Sequence, residues 1–327
     1  MALIEARCTP CRALTLVLVT LLAAACGGRA GQSATPSLAE QPSPRPQAMS
    51  LLGRPLFAPD LAPAARAGME QRLADARVAY DRNRDDADAL IWVGRRLAYL
   101  GDYRAAIDVF SEGIAKHPRD ARMYRHRGHR FITTRQFGRA IEDLERAAQL
   151  VEGTPDEVEP DGQPNRFNTP VSTLHTNIWY HLALAHYLRL DFERALPAWQ
   201  RAVAASTNAD MLVASSDWLY MTLRRLGRDD EAARVLAPIT ADMRIVENTA
   251  YHRRLLMYRG ELTADSLMVD TTDPVQVATY GYGLANWYWY NGDHERANAL
   301  FRRILEGSNW AAFGYVAAEA ELAARSD

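Results

Sequence analysis

Cysteine is almost missing from this chain. Cys8, Cys11 and Cys26 are its only three, and all lie in the first 26 of 327 residues. The rest of the sequence therefore has no thiol, no possible disulfide and no cysteine metal ligand. Cys8 and Cys11 form a C-x-x-C, but no strand–helix pattern follows, so thioredoxin-like redox chemistry is not indicated. Lysine is scarcer still: Lys116 stands alone, and every other basic side chain is Arg. Nor is there an excess of either charge. The formal net charge is −2, which removes any global pull toward nucleic acid. The apolar run at residues 13–25 is shorter than the ~20 residues a transmembrane helix needs. The G-x-S-x-G, P-loop and G-x-G-x-x-G patterns are also missing, and with them the common nucleophile elbow and phosphate cradles. His126/His129 and His181/His186 lack the H-E-x-x-H spacing of a zinc site, and a calcium-loop reading from Glu157 meets Asn168 where a bidentate acid is needed. No metal, cofactor or catalytic residue is expected.

What is present begins at the N-terminus. Arg7 and Arg12 precede the apolar run, which ends in Leu22-Ala23-Ala24-Ala25-Cys26. A basic start, a short apolar segment and small residues before a Cys resemble the signal peptide and lipobox of bacterial lipoproteins. The resemblance implies removal of residues 1–25 and acylation at Cys26. The lipid anchor would then sit in the bacterial cell envelope, with the folded part facing the periplasm. Gly27 follows the Cys in place of the Asp that favours inner-membrane retention, so an outer-membrane location is favoured in a Gram-negative cell. Two or more acyl chains anchor stably, whereas one is marginal. Residues 27–62 are rich in Ser, Pro, Ala, Gln and Gly. With the acylated Cys they are expected to form a disordered, semi-extended tether over 26–62.

Beyond the tether the sequence repeats itself. Gly94 and Gly128 are 34 residues apart, and so are Leu97 and Phe131, Tyr103 and Phe137, Ala106 and Ala140, and Phe110 and Leu144. Each unit reads as two helices. Leu90, Val93 and Leu97 mark the inner face of the first, Gly101 the turn, and Tyr103, Ala106, Ile107, Phe110 and Ile114 the second, which Pro118 ends. Gly94 and Ala106 stand where the two helices must cross closely.

The period and these residue types resemble the tetratricopeptide repeat. The resemblance covers residues 87–311 as about six units. Ala140 to Ala195 is 55 residues rather than 34, an insertion of 21 near 153–173. The fifth unit has a short second helix. A lone helix within 63–86 and another within 312–327 are expected as caps. The fold class implied is all-α, a right-handed α-solenoid whose first helices line a concave groove that, in this family, usually holds peptides or proteins.

Opposite the packing stripe of the first helices lie Arg95 and Tyr99, then Arg122, Arg125 and His129, then Tyr180 and Tyr187, and finally Tyr282, Asn286 and Trp289. Such a groove is basic at its N-terminal end and aromatic further along, with the residue types that dominate binding hot spots. An acidic protein or peptide segment would complement it. The Lys/Asn clamp of the chaperone-binding members is missing, so that activity is not implied. Arg119 to Arg139 holds seven Arg against Asp120 alone, and Glu152 to Asp161 then holds five acids and no base. The acidic insertion reads either as a solvated loop that neutralises its neighbours or as a segment that folds against the basic groove and competes with an acidic ligand. The function read from this pattern is a protein–protein interaction scaffold or adaptor, not an enzyme, reaching the membrane through its lipid and binding no nucleic acid. A binding protein for an envelope glycan or lipid on the aromatic half is the alternative. An enzyme built from converging carboxylates and histidines stands further back.

Overall fold

The computed structural model describes residues 45–267 and 274–325. The signal segment, Cys26, residues 27–44 of the tether and the last two residues lie outside the described residues. Among the described residues no helix is long and apolar enough to cross a membrane.

The described chain opens with a correction to the tether. Ala48–Met49 (β1) and Pro55–Leu56 (β2) pair as a small antiparallel hairpin. Ser50 closes its turn, its hydroxyl accepting from the amides of Leu52 and Arg54. Gln47 is tied to Arg104, and Ala58 and Pro59 lie against Gly101. Composition alone hid this, because the order comes from contacts made with residues some fifty positions later. Pro63–Arg82 (α1) follows, with Pro at the first helical position, where its missing N–H costs nothing.

Helix pairs come next. They are Ala87–Tyr99 (α2) with Tyr103–Lys116 (α3), Ala121–Thr133 (α4) with Phe137–Val151 (α5), Leu174–Tyr187 (α6) with Phe192–Ala204 (α7), and Ala209–Arg225 (α8) with Asp229–Val235 (α9). Among the described residues Thr249–Tyr258 (α10) is followed by a 3-10 turn at Asp265–Leu267, where the second helix of the fifth unit is expected. Pro274–Tyr290 (α11) and His294–Leu305 (α12) form the sixth pair, and Phe313–Ala323 (α13) ends the array. Side chains of Asp86, Asp120, Thr173 and Asn208 accept from the first-turn amides of α2, α4, α6 and α8. These caps start the first helix of each of the first four units.

One backbone device recurs at all six intra-unit turns. A residue in the left-handed region, at positions 101, 135, 190, 227, 260 and 292, lets the next amide reach back five residues. The bonds run from Asp102 to Leu97, Gln136 to Phe131, Asp191 to His186, Arg228 to Leu223, Glu261 to Leu256 and Asp293 to Tyr288, at 2.8–3.1 Å. Each turn is thus a Schellman closure, which satisfies a helix-end carbonyl and reverses the chain. The small residues act as the repeat pattern requires. A Cβ on Gly94 would come within 2.5 Å of the Phe110 ring, and one on Gly128 within 2.7 Å of Leu144. These are the same relation one unit apart. Ala106, Ala140 and Ala195 are fully buried at the equivalent crossings. First helices touch first helices along the array, α2 to α4, α4 to α6, α6 to α8 and α8 to α11. The described chain is therefore an all-α helical-repeat protein of the tetratricopeptide type.

Candidate functional site

The first helices form a face, but two later segments of the same chain lie on it. The first is the insertion. Glu159 is buried, with its carboxylate 3.1 Å from Arg125 Nε and 3.4 Å from His126 Nε2, and it accepts from Asn177 Nδ2 at 2.6 Å. Arg95 donates to the Pro160 carbonyl and Arg96 to that of Gly162, both at 2.8 Å. Gly162 itself rests on the Tyr99 ring. The rest of the loop is mostly exposed. The acidic insertion thus sits on the basic helices as a strap, touching them through Glu159, Pro160 and Gly162, and it is tied elsewhere by Asn208 to the Val171 carbonyl and by Asn165 to Glu247.

The second segment is α13. It turns inward, where an end cap had been expected, and nearly every described residue along it is buried. Glu319 pairs with Arg135 at 2.8 Å, and Arg135 also donates to the Trp310 carbonyl at 2.8 Å. Glu321 pairs with Arg225 and, at 2.6 Å, with Arg325, and its carboxylate lies 3.3 Å from Tyr282 Oη. Phe313 lies against His129, Tyr180 and His181. The helix fits so closely because it is thin. Its inner positions are Gly314, Ala317, Ala318 and Ala320, and a Cβ on Gly314 would strike the Ala278 carbonyl.

These two segments divide the residues expected to line the groove. Arg95, Tyr99, Arg125 and His129 come together at one end, with His126 and Arg130. Arg122 does not join them. It is bound by Asp120 and, at 2.6 Å, by Asp88, and hydrogen bonding to Asp120 raises its pKa further. Tyr180, Tyr187, Tyr282 and Asn286 are buried contacts rather than an open lining. Tyr187 Oη accepts from Tyr282 Oη and Asn286 Nδ2 at 2.9 Å each, and Tyr180 Oη meets Tyr251 Oη at 3.3 Å. Trp289 stacks on His294 and under the Arg325 guanidinium. The residues missed were Arg130, Arg135, Glu159, Glu319 and Glu321. One signal was available: FGYVAAEAELA has no continuous polar face, and a helix without one is buried.

Electrostatics at the basic end are unusual. A guanidinium can only donate, so His126 Nδ1, 3.0 Å from Arg125, must accept. Its proton is then on Nε2, facing Glu159. His181 Nδ1 donates to the Asn177 carbonyl at 2.6 Å. Burial holds His126, His129 and His181 well below the usual imidazole range, and the neighbouring Arg125 and Arg130 push them further down. All three are neutral near pH 7. Burial also lowers the Arg130 guanidinium to about 10. Among the described residues no group of three or more His, Cys, Asp or Glu is placed to hold a metal ion.

Neither a protein-family model nor a curated protein sequence matches the chain. Solved structures do. YrrB, described as a tetratricopeptide protein with an unusual peptide-binding site, is 17% identical with a TM-score of 0.41, covering 71% of this chain and 91% of that one. PilF of Pseudomonas aeruginosa is 13% identical with a TM-score of 0.44, covering 74% and 86%. A tetratricopeptide repeat protein of Parabacteroides merdae is 11% identical with a TM-score of 0.46, covering 79% and 94%.

Proposed function

We propose that this protein is an interaction scaffold, anchored in the bacterial envelope through acylated Cys26, that holds an acidic segment of a partner protein at the basic end of its first-helix face. The observation that supports this reading is internal. The chain lays its own acidic strap there, with Glu159 between Arg125 and His126 and its backbone carbonyls on Arg95 and Arg96. A face that accepts one extended acidic segment has the donors for another, and charge-assisted bonds of this kind give both strength and register. The strap is mostly exposed outside these contacts, which makes it the replaceable element. A glycan or lipid on the aromatic half is less well supported, because Tyr180, Tyr187 and Tyr282 are buried.

The test is in-cell crosslinking of the full-length protein with mass spectrometry, beside an Arg95→Glu/Arg96→Glu variant. One partner recovered by the native protein and lost by the variant supports the reading. Equal recovery by both would move the interface elsewhere. In the same cells Cys26→Ser should release the protein from membranes, and persistent membrane association would rule out the acyl anchor.

A further inference from the structure

A cavity of about 140 Å³ lies beside the strap's contacts, lined chiefly by Arg95, Tyr99, Arg125, His126, His129 and Arg130. Three guanidiniums border it and no carboxylate does. Glu159, the nearest acid, contacts Arg125 from a separate neighbouring cavity. Arg95 uses its donors on Tyr99 Oη and the Pro160 carbonyl. Arg125 has Glu159 and His126. Arg130 has no hydrogen-bond acceptor among the described residues; its guanidinium lies 5.5 Å from the centre of the Tyr103 ring. Three positive charges against one negative charge is an arrangement folded proteins avoid. Arg130 is half-buried, and a guanidinium withdrawn even partly from water is normally paired.

From this cavity we infer that the protein binds a small free oxyanion, of the phosphate or simple carboxylate class, held by Arg130 with Arg125 and Tyr99. Guanidinium forks match the oxygens of such ions. Tyr99 Oη accepts from Arg95, which leaves its own proton to donate inward. The volume sets the ligand's size. It equals only four or five waters at ~30 Å³ each, and is well below the ~300 Å³ at which sites for drug-sized ligands begin. The strap's Gly162 rests on Tyr99 and its Pro160 carbonyl on Arg95, so the space left at Arg130 is small rather than extended and suits a free ion better than a peptide segment. This site shares Arg95, Arg125 and His126 with the proposed partner face, but its occupation by an ion does not depend on a partner's existence.

The experiment is calorimetric titration of the full-length protein with inorganic phosphate and with acetate at low ionic strength, paired with thermal melts. The native protein should bind one ion and melt higher in its presence. Arg130→Gln should weaken binding by about tenfold or more, the loss of one charge-assisted contact. The same variant should melt higher than the native protein in ion-free buffer, because it removes an unpaired charge. A merely structural role for Arg130 would lower that melting point instead. Arg122→Gln serves as control, since Asp120 and Asp88 already neutralise Arg122, and its affinity should match the native value. The inference is overturned if neither ion binds the folded native protein. It is also overturned if the control loses as much affinity as Arg130→Gln, or if an acidic peptide binds where phosphate and acetate do not.

Discussion

Arg135 and Glu319 face each other at 2.8 Å across 184 residues of sequence, both almost wholly buried. Arg135 is the left-handed residue of the second unit's turn, and Glu319 lies in the middle of the last helix. The pair therefore ties the end of the chain to its second repeat. Removing one partner of such a pair leaves the other buried and unmatched, at a cost of about 3 kcal/mol or more. Glu319→Gln should show that loss in urea unfolding, whereas an exposed control such as Glu145→Gln should stay within about 0.5 kcal/mol. A loss no larger than the control's would mean that α13 is not held by this contact.

Acid should destabilise the fold, and the three imidazoles of the basic end give the sign. Burial, with Arg125 and Arg130, depresses His126, His129 and His181 in the folded state. The unfolded chain takes up protons below about pH 6.5. Their stabilisation is thus complete above that pH and is lost as pH falls, at up to about 1.4 kcal/mol per pH unit for each group. Asp217 works the other way. Burial pushes its carboxyl up to about 6, so its contribution is whole below about pH 3.9 and lost as pH rises through about 6. Three groups outweigh one, so the urea midpoint should fall steadily from pH 7 to pH 5. His129→Gln should flatten that slope by about a third above pH 6 and by about half below it, where Asp217 offsets one imidazole. A midpoint that is constant over this range would show that the imidazoles are not buried neutral.

Overpacking the helix crossings should also be costly. Ala106 and Ala140 have no exposed surface, and a Leu at either forces neighbouring side chains off their rotamers at about 1–3 kcal/mol. Chemical unfolding of Ala106→Leu and Ala140→Leu measures this. A neutral result at both would mean that the inter-helix gaps can absorb a larger side chain.

Those two alanines also show what the sequence made legible. The 34-residue offset fixed which residues meet inside a unit, because Gly94–Phe110 and Gly128–Leu144 are local contacts, each 16 residues apart. The turns were readable where Gly occupies the left-handed position. They were hidden at Arg135 and Leu190, where a bulky residue takes the same conformation. The face of the first helices could be named residue by residue, but not what lies on it. Glu319 and Glu321 reach partners 184 and 96 residues away, and no local periodicity encodes such a meeting. The hairpin at 48–56 was concealed for the same reason, since Trp310 donates to the Phe57 carbonyl from 253 residues further on. Arg122 illustrates the converse error. It shares the helix face of Arg125, yet Asp88 of the preceding unit claims its charge.

The strap should behave as a competitor for acidic ligands. Glu159 presents the charge an incoming segment would bring, and it does so at the effective concentration of a tethered group. Glu159→Gln keeps the shape and the bond to Asn177 while removing that charge. Its affinity for a Glu-rich peptide, read by fluorescence anisotropy at low salt, should rise above the native value. Replacing residues 153–168 with a short linker should raise it further, because the carbonyls of Pro160 and Gly162 also release Arg95 and Arg96. Both gains should shrink as salt is added, since the contacts at stake are partly exposed charges. The strap also covers a cost. With Glu159 neutral, Arg125 stays buried without an anion, so the variant should be less stable alone and recover stability as peptide is added. Unchanged affinity in both variants would mean that the strap is a structural brace and that acidic segments bind elsewhere.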